Sequence, residues 1–404
     1  MKVVHDDEVF DGQILRLLGS MYEGGVDYGE VHSTSLRIKP HDIESWHTEW
    51  NATAQRLEKI GQTALDAKRK ITAHEAFLRA SQYYRASGQF FIGYPNENRT
   101  LVAYQQCEAC FTQAMKLSLA VKFETIKIAW KNGVSFPGYF IEPLNIVPEK
   151  RGHTLIINGG YDSVKEECYF FSGAAALRRG YNVLLFDGPG QGLTLLEQNV
   201  VTMPDWENVM SYLIDYLYTR SEVDKSKIAV MGVSLGGYQV PRAATVEKRI
   251  NAIIADPGQI NIGKKARGRL LLPQRWQKTF PRDVPWLVTF LIRMILNRKM
   301  ADLSYGWTFR RNLHVHGLNA MVDMFPEWDK YCYDPKGVTC PIFISFAEKD
   351  ATAVDSTALY EQVSSSEKKL VVYTEATGSH EHCESGNRAA FNADCLDWLD
   401  GLFA

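Results

Sequence analysis

Four short apolar runs punctuate the middle of the chain, and a stretch with helical spacing follows each of the first three. The runs are HTLIINGG (153–160), YNVLLFDGPG (181–190), SKIAVMGVS (226–234) and INAIIADPG (250–258). Between them lie EECYFFSGAAALRRG, DWENVMSYLIDYLYTR and GYQVPRAATVEKR. A strand buried on both faces reads as a continuous apolar run, and parallel strands need a crossover long enough to hold a helix. The alternation therefore predicts an α/β fold, a mostly parallel, doubly wound sheet with helices on both faces. It resumes at CPIFISFAEKD (340–350), passes through STALYEQV to KKLVVYTEA (368–376), and ends in the helical AAFNADCLDWLDGLF.

Two regions depart from this rhythm. Residues 260–338 interrupt it with an aromatic-rich stretch containing Trp276, Phe280, Trp286, Phe290, Trp307, Phe309, Phe325, Trp328, Tyr331 and Tyr333. They read as a helical cap inserted into the core. Residues 1–120 read as a helical N-terminal domain. Ile43, Trp46, Trp50, Ala54 and Leu57 recur at steps of three and four, and the turn-rich GYPNENRT follows a second helical stretch. The core then occupies 121–404. It opens with VKFETIKIAW and VSFPGYFIEP, alternating runs joined by Lys131-Asn132-Gly133, a strong hairpin signal.

Composition narrows the function classes. The 404 residues carry a formal net charge of −2 with no long basic block, so no nucleic-acid or membrane partner is expected. The N-terminus has acids where a secretion signal would be basic, and it lacks an apolar core. The most apolar window, VPWLVTFLIRMIL, contains Arg293 and is too short to span a bilayer. These features predict a soluble, cytoplasmic protein. Cys107 and Cys110 form a Cys-x-x-Cys within helical spacing, and no second pair follows at zinc spacing, so they read as plain thiols. No phosphate loop or metal-ligand spacing occurs, and no cofactor is expected.

The chemistry centres on Gly232-Val233-Ser234-Leu235-Gly236. A predicted strand runs into Ser234 and a predicted helix leaves it, the context in which Gly-x-Ser-x-Gly presents a nucleophile on a tight turn. Pro241, inside that helix, should kink or loosen one turn. A serine hydroxyl needs a base, and the base needs an acid to orient it. Past the next strand end, Glu348 and Asp350 are candidates, with Asp350 deeper in the loop; Asp256 at the end of an earlier strand is its rival. The loop after the last strand offers His380 and His382. The oxyanion needs two N–H donors. Leu235, after the nucleophile, supplies one; Tyr161, after the close-approaching Gly159-Gly160, supplies the other.

The set Gly159-Gly160-Tyr161-Asp-Ser-Val-Lys-Glu-Glu, Phe186-Asp-Gly-Pro-Gly-Gln-Gly192, Gly232-Val-Ser-Leu-Gly-Gly237 and His382-Cys383 resembles a branch of the α/β-hydrolases. That branch includes 2,6-dihydroxypseudooxynicotine hydrolase and fungal polyketide-shortening hydrolases. The resemblance spans nearly the whole chain and implies an α/β-hydrolase fold with a helical N-terminal domain and a helical cap. It favours His382, which precedes a Cys with Asp397-Trp398-Leu399 downstream, and it matches Asp350 to the family's acid. It points to ester or activated C–C cleavage in an apolar, aromatic or polyketide-like small molecule, and to a homodimer. The acidic cap residue of some relatives has no counterpart in the basic NIGKKARGRLLLPQRW. The same scaffold also serves cyclases, lyases and peptidases, and the residues alone do not separate these.

Overall fold

The computed structural model describes residues 1–94, 96–146 and 148–404. Pro95, within the turn-rich GYPNENRT, lies outside them. Eight strands form one sheet in the order β1-β2-β4-β3-β5-β6-β7-β8. They are β1 (Val121–Ala129), β2 (Ser135–Pro143), β3 (Thr154–Asn158), β4 (Asn182–Phe186), β5 (Ile228–Val233), β6 (Ala252–Asp256), β7 (Ile342–Ala347) and β8 (Lys368–Tyr373). From β4 to β8 every neighbouring pair is parallel. The β1–β2 hairpin is antiparallel and adds to the β4 edge, also antiparallel. Its turn places Asn132 and Gly133 at φ of 57° and 77°, the left-handed conformation that Asn-Gly tolerates best.

The strand sequences sort their own side chains. Leu155 and Ile157 of β3 face one side, and Ile156 faces the other. The same alternation runs through Val183, Leu184 and Leu185, and through Ala229, Val230 and Met231. On the second side the sheet packs against helices Glu207–Tyr218, Gly236–Ala244 and Ser356–Gln362. The first side is covered by the C-terminal helix Arg388–Phe403 and continues into the N-terminal helices.

Those helices are α1 (Glu8–Leu18), α2 (Tyr28–Ser35), α3 (Ile43–Asp66), α4 (Lys70–Gly88) and α5 (Arg99–Leu117). Their apolar residues Phe10, Trp46, Trp50, Tyr83 and Phe111 belong to the same continuous cluster as the first face of the sheet. Trp46 is the hinge of this packing. Its ring lies 4.8 Å from Phe10, 4.9 Å from Phe90 and 5.7 Å from Trp50, and its indole N–H donates to the Ala86 carbonyl at 2.8 Å. Cys107 and Cys110 are buried on α5 as free thiols, and burial pushes both up in pKa.

The segment between β6 and β7 is helical, with helices Ile262–Gly268, Gln274–Thr279, Trp286–Met300, Trp307–His316 and Met324–Trp328. It sits over the carboxyl ends of the parallel strands, where ligands enter sheets of this kind. Among the described residues no helix is long and apolar enough to cross a membrane. Replacing Trp46 with Ala should lower unfolding stability by about 3–5 kcal/mol, the usual cost of deleting a large buried aromatic. A urea melt reads it out; a shift under about 1 kcal/mol would mean that the site refills by collapse.

Candidate active site

Ser234 sits where β5 meets helix Gly236–Ala244, at φ of 60°. A serine rarely holds that conformation, so its surroundings must impose it. The Ser234 N–H donates to the Asp256 carbonyl at 2.6 Å. Its own carbonyl accepts from the Gly237 N–H at 2.9 Å and from Gln259 Nε2 at 2.8 Å. A side chain at Gly232 would run into the Gly236 carbonyl, which is why the turn can be this tight only with glycine there. Pro241 leaves helix Gly236–Ala244 intact despite the expected kink. The Gly237 carbonyl, which Pro241 cannot bond, accepts from the Gln259 N–H at 3.1 Å instead.

Three predicted residues meet in one line. Ser234 Oγ is 2.9 Å from His382 Nε2, and His382 Nδ1 is 2.7 Å from Asp350 Oδ2. Asp350 Oδ1 accepts from the Thr352 N–H at 2.7 Å. Burial pushes the Asp350 carboxyl up, but the adjacent His382 and the hydrogen bonds from His382 and Thr352 outweigh it and hold it at about 2. Burial alone would lower the His382 pKa; the Asp350 carboxylate more than offsets this and raises it above the ordinary 6.5.

The rival residues are engaged elsewhere. The Asp256 carboxylate is fully buried and bonds Arg388 Nη1 at 2.9 Å. Burial pushes both Asp256 and neighbouring Glu384 up. Arg388 also donates to the Cys383 carbonyl at 2.7 Å, which holds the loop just after His382. Cys383 and Glu384 there adopt φ of 51° and 49°. Glu348 accepts from the Glu375 N–H at 2.6 Å, and His380 is buried beside Glu381, 3.3 Å away.

The loop after β3 comes close to the nucleophile. An added Cβ on Gly160 would lie 2.7 Å from Ser234 Cβ, so only glycine permits this approach. Tyr161 follows on this loop and Leu235 follows Ser234. Neither amide donates to a protein acceptor among the described residues. Gln191, in the Gly-Pro-Gly-Gln-Gly stretch, buttresses the loop by donating to the Gly159 and Gly160 carbonyls at 2.8 and 3.3 Å. Sequence reasoning quoted that stretch but assigned Gln191 no task.

Two further features were not anticipated. The Tyr161 hydroxyl lies 2.8 Å from His316 Nε2 and accepts from Trp328 Nε1 at 3.1 Å, tying the loop to the cap. Burial raises Tyr161 to about 12 and drops His316 to about 3, so both are neutral at pH 7. Next to Tyr161, Asp162 accepts from Arg16 of α1 at 3.0 Å, Gln89 at 2.7 Å and Arg311 of the cap at 3.3 Å. Although burial raises its pKa, Arg16 and Arg311 hold the carboxylate far below the usual range. Asp162 thus ties the N-terminal helices and the cap to one loop of the core.

Ser234 and His382 open onto a cavity of about 720 Å³. Its walls come from α1 through Val9 and Gly12, from the cap through Trp307, Phe309, Phe325 and Trp328, and from the core. Lys265 and Arg269 also line it. They donate to the Thr352 and Ala351 carbonyls at 3.0 and 2.9 Å, and neither is in a salt bridge among the described residues. Burial, helped by Arg269, lowers Lys265 to about 8.

A parallel sheet with a serine at its central strand-to-helix turn, under a helical cap, is the architecture of a hydrolase. The chain belongs to the α/β-hydrolase family: the family model described as "Alpha/beta hydrolase family" matches residues 155–393. Among similar proteins is "Alpha/beta hydrolase xenA" of Xenoacremonium sinensis, 30% identical over 98% of this chain and 96% of that one. Another is "20-hydroxy-prefusarin hydrolase FUS2" of Gibberella moniliformis (strain M3125 / FGSC 7600), 29% identical over 100% of this chain and 99% of its own. The solved 2,6-dihydroxy-pseudo-oxynicotine hydrolase shares the fold at a TM-score of 0.73, with 19% identity and 96% of each chain covered.

The His382 ring should titrate above 6.5, because Asp350 raises it against burial. In Asp350→Asn the main charge opposing burial is lost, with only the more weakly acting Asp256 remaining, and the midpoint should fall below that of the wild type. Ring NMR signals across pH 4–9 (approximate limits of the reference His and amine range) read both; an unmoved midpoint would dissociate the two residues.

Proposed function

We propose that the protein is a serine hydrolase acting through an acyl-enzyme on an apolar, polyketide-like small molecule. One observation carries this reading: an unbroken Ser234–His382–Asp350 hydrogen-bonded line at 2.9 and 2.7 Å that opens onto an aromatic-walled cavity. Ser234 Oγ attacks a carbonyl carbon while His382 Nε2 takes its proton. Asp350 keeps the other ring nitrogen protonated and stabilises the imidazolium. The Tyr161 and Leu235 amides receive the oxyanion. His382 returns the proton to the leaving group, then activates the water that hydrolyses the acyl-serine. The size and apolar lining of the cavity suit a drug-sized aromatic ligand. The printed name of the Gibberella relative, a prefusarin hydrolase, lies in the same direction.

Lys265 favours one class of leaving group. It lines the cavity as a cation that, among the described residues, bonds only a backbone carbonyl, the Thr352 oxygen. A positive side chain there stabilises an enolate or phenolate more than it helps an alkoxide that His382 protonates as it leaves. This supports cleavage of a 1,3-diketone or acyl-phenol over a simple alkyl ester. Lys265→Met should reduce kcat/KM roughly tenfold or more on such activated substrates and leave alkyl esters nearly unchanged. Equal losses on both would remove this preference.

The first experiment is intact mass after fluorophosphonate treatment. Wild type should gain one adduct, and Ser234→Ala none. An unlabelled wild type, inert also to small ester probes, would sink the serine-hydrolase reading.

A further inference from the structure

Helix Trp286–Met300 of the cap carries large apolar residues on its inner and its outer side, with Arg293, Asn297, Arg298 and Lys299 among the outer ones. Ile292 and Leu296 turn inward onto the cluster of Phe280, Val322 and Phe325, and Leu296 also lines the cavity. Trp286, Leu287, Phe290, Leu291, Met294 and Ile295 turn outward, at alternating steps of one and three that place them on a single face. Their exposure runs from 49% for Leu291 to 77% for Trp286. An exposed apolar stripe of this size marks an interaction site.

Charge decides what covers it. Residues 264–300 contain ten Lys or Arg and one acid, Asp283. Among the described residues only Arg267 of the ten is in a salt bridge, with Asp329. Lys264, Arg269, Arg275, Lys278, Arg282, Arg293, Arg298 and Lys299 are exposed. Arg275 and Arg282 line a shallow hollow with Trp276 ahead of the apolar helix. A second copy laid on this face would set two such cationic fields against each other. An anionic bilayer answers both features, taking the aromatic and aliphatic stripe at its interface and the cations on its headgroups.

We propose that this face of the cap docks peripherally on an anionic membrane surface. The helix has 15 residues and lies in the interface rather than spanning. The whole-chain charge of −2 conceals the patch, because acids elsewhere cancel it in the sum. Leu296, on the inner side of the same helix, walls the cavity, so the docking face and the cavity share one helix.

Co-sedimentation with phosphatidylglycerol/phosphatidylcholine vesicles tests this, with pure phosphatidylcholine as control. Wild type should bind the mixed vesicles, lose binding as salt rises, and bind the neutral ones far more weakly. Trp286→Glu with Phe290→Glu should weaken association roughly tenfold or more. Arg293→Glu, Arg298→Glu and Lys299→Glu together should do the same, and both variants should keep the wild-type melting temperature. No binding by wild type, or binding unchanged in the Trp286/Phe290 variant, overturns the proposal. So does light scattering that finds a dimer dissociated by that variant, which would assign the face to a second copy.

Discussion

The left-handed turn at Ser234 is the constraint on which the rest of the site depends. A non-glycine residue at φ of 60° stays there only because three groups hold it: the Asp256 carbonyl on its N–H, and Gly237 and Gln259 on its carbonyl. The turn lifts the hydroxyl off the end of β5 and lets the Gly160 loop close in beside it. Each group that grips the turn is itself fixed elsewhere. Asp256 ends β6, and the Gln259 N–H is held by the carbonyl that Pro241 leaves free. Pro241, a helix breaker by propensity, is thus part of the clamp rather than a flaw in it.

The electrostatics around the turn are divided between two acids. Asp256 ends β6 and Asp350 lies in the loop after β7, both near His382. Asp350 faces the imidazole and is stabilised as a carboxylate. Asp256 is neutralised from behind by Arg388 of the C-terminal helix. One arginine from a distant segment therefore keeps the second carboxylate occupied and, through the Cys383 carbonyl, steadies the loop that carries His382.

The sheet was legible in the sequence because β3 to β7 are almost wholly buried, so both faces had to be apolar and the runs stood out. Ser234 was legible because the strand, the glycines and the helix agree at one point. Asp350 was preferred to Asp256 on its place in the loop and on the resemblance; what occupies Asp256, Arg388, lies more than a hundred residues away and left no sign in the sequence. The cap aromatics were also unsorted. Trp307 and Phe325 wall the cavity, Tyr331 is buried with Tyr238, and Trp286 faces outward. In helix Trp286–Met300 large apolar residues stand on both the inner and the outer side, so their spacing gives no sign of which way it faces. Asp162 went unread for a related reason: its partners Arg16, Gln89 and Arg311 come from three separate stretches.

The cavity takes most of its walls from segments outside the sheet. Val9 and Gly12 belong to the first helix, Trp307 and Phe309 to the insertion, and Ser234 to the strand-to-helix turn. A change of side-chain volume in one wall leaves the hydrogen-bonded line at Ser234 untouched. Descendants of such a chain can therefore explore new substrates one wall at a time, each step selectable by itself, while the reacting centre is inherited whole.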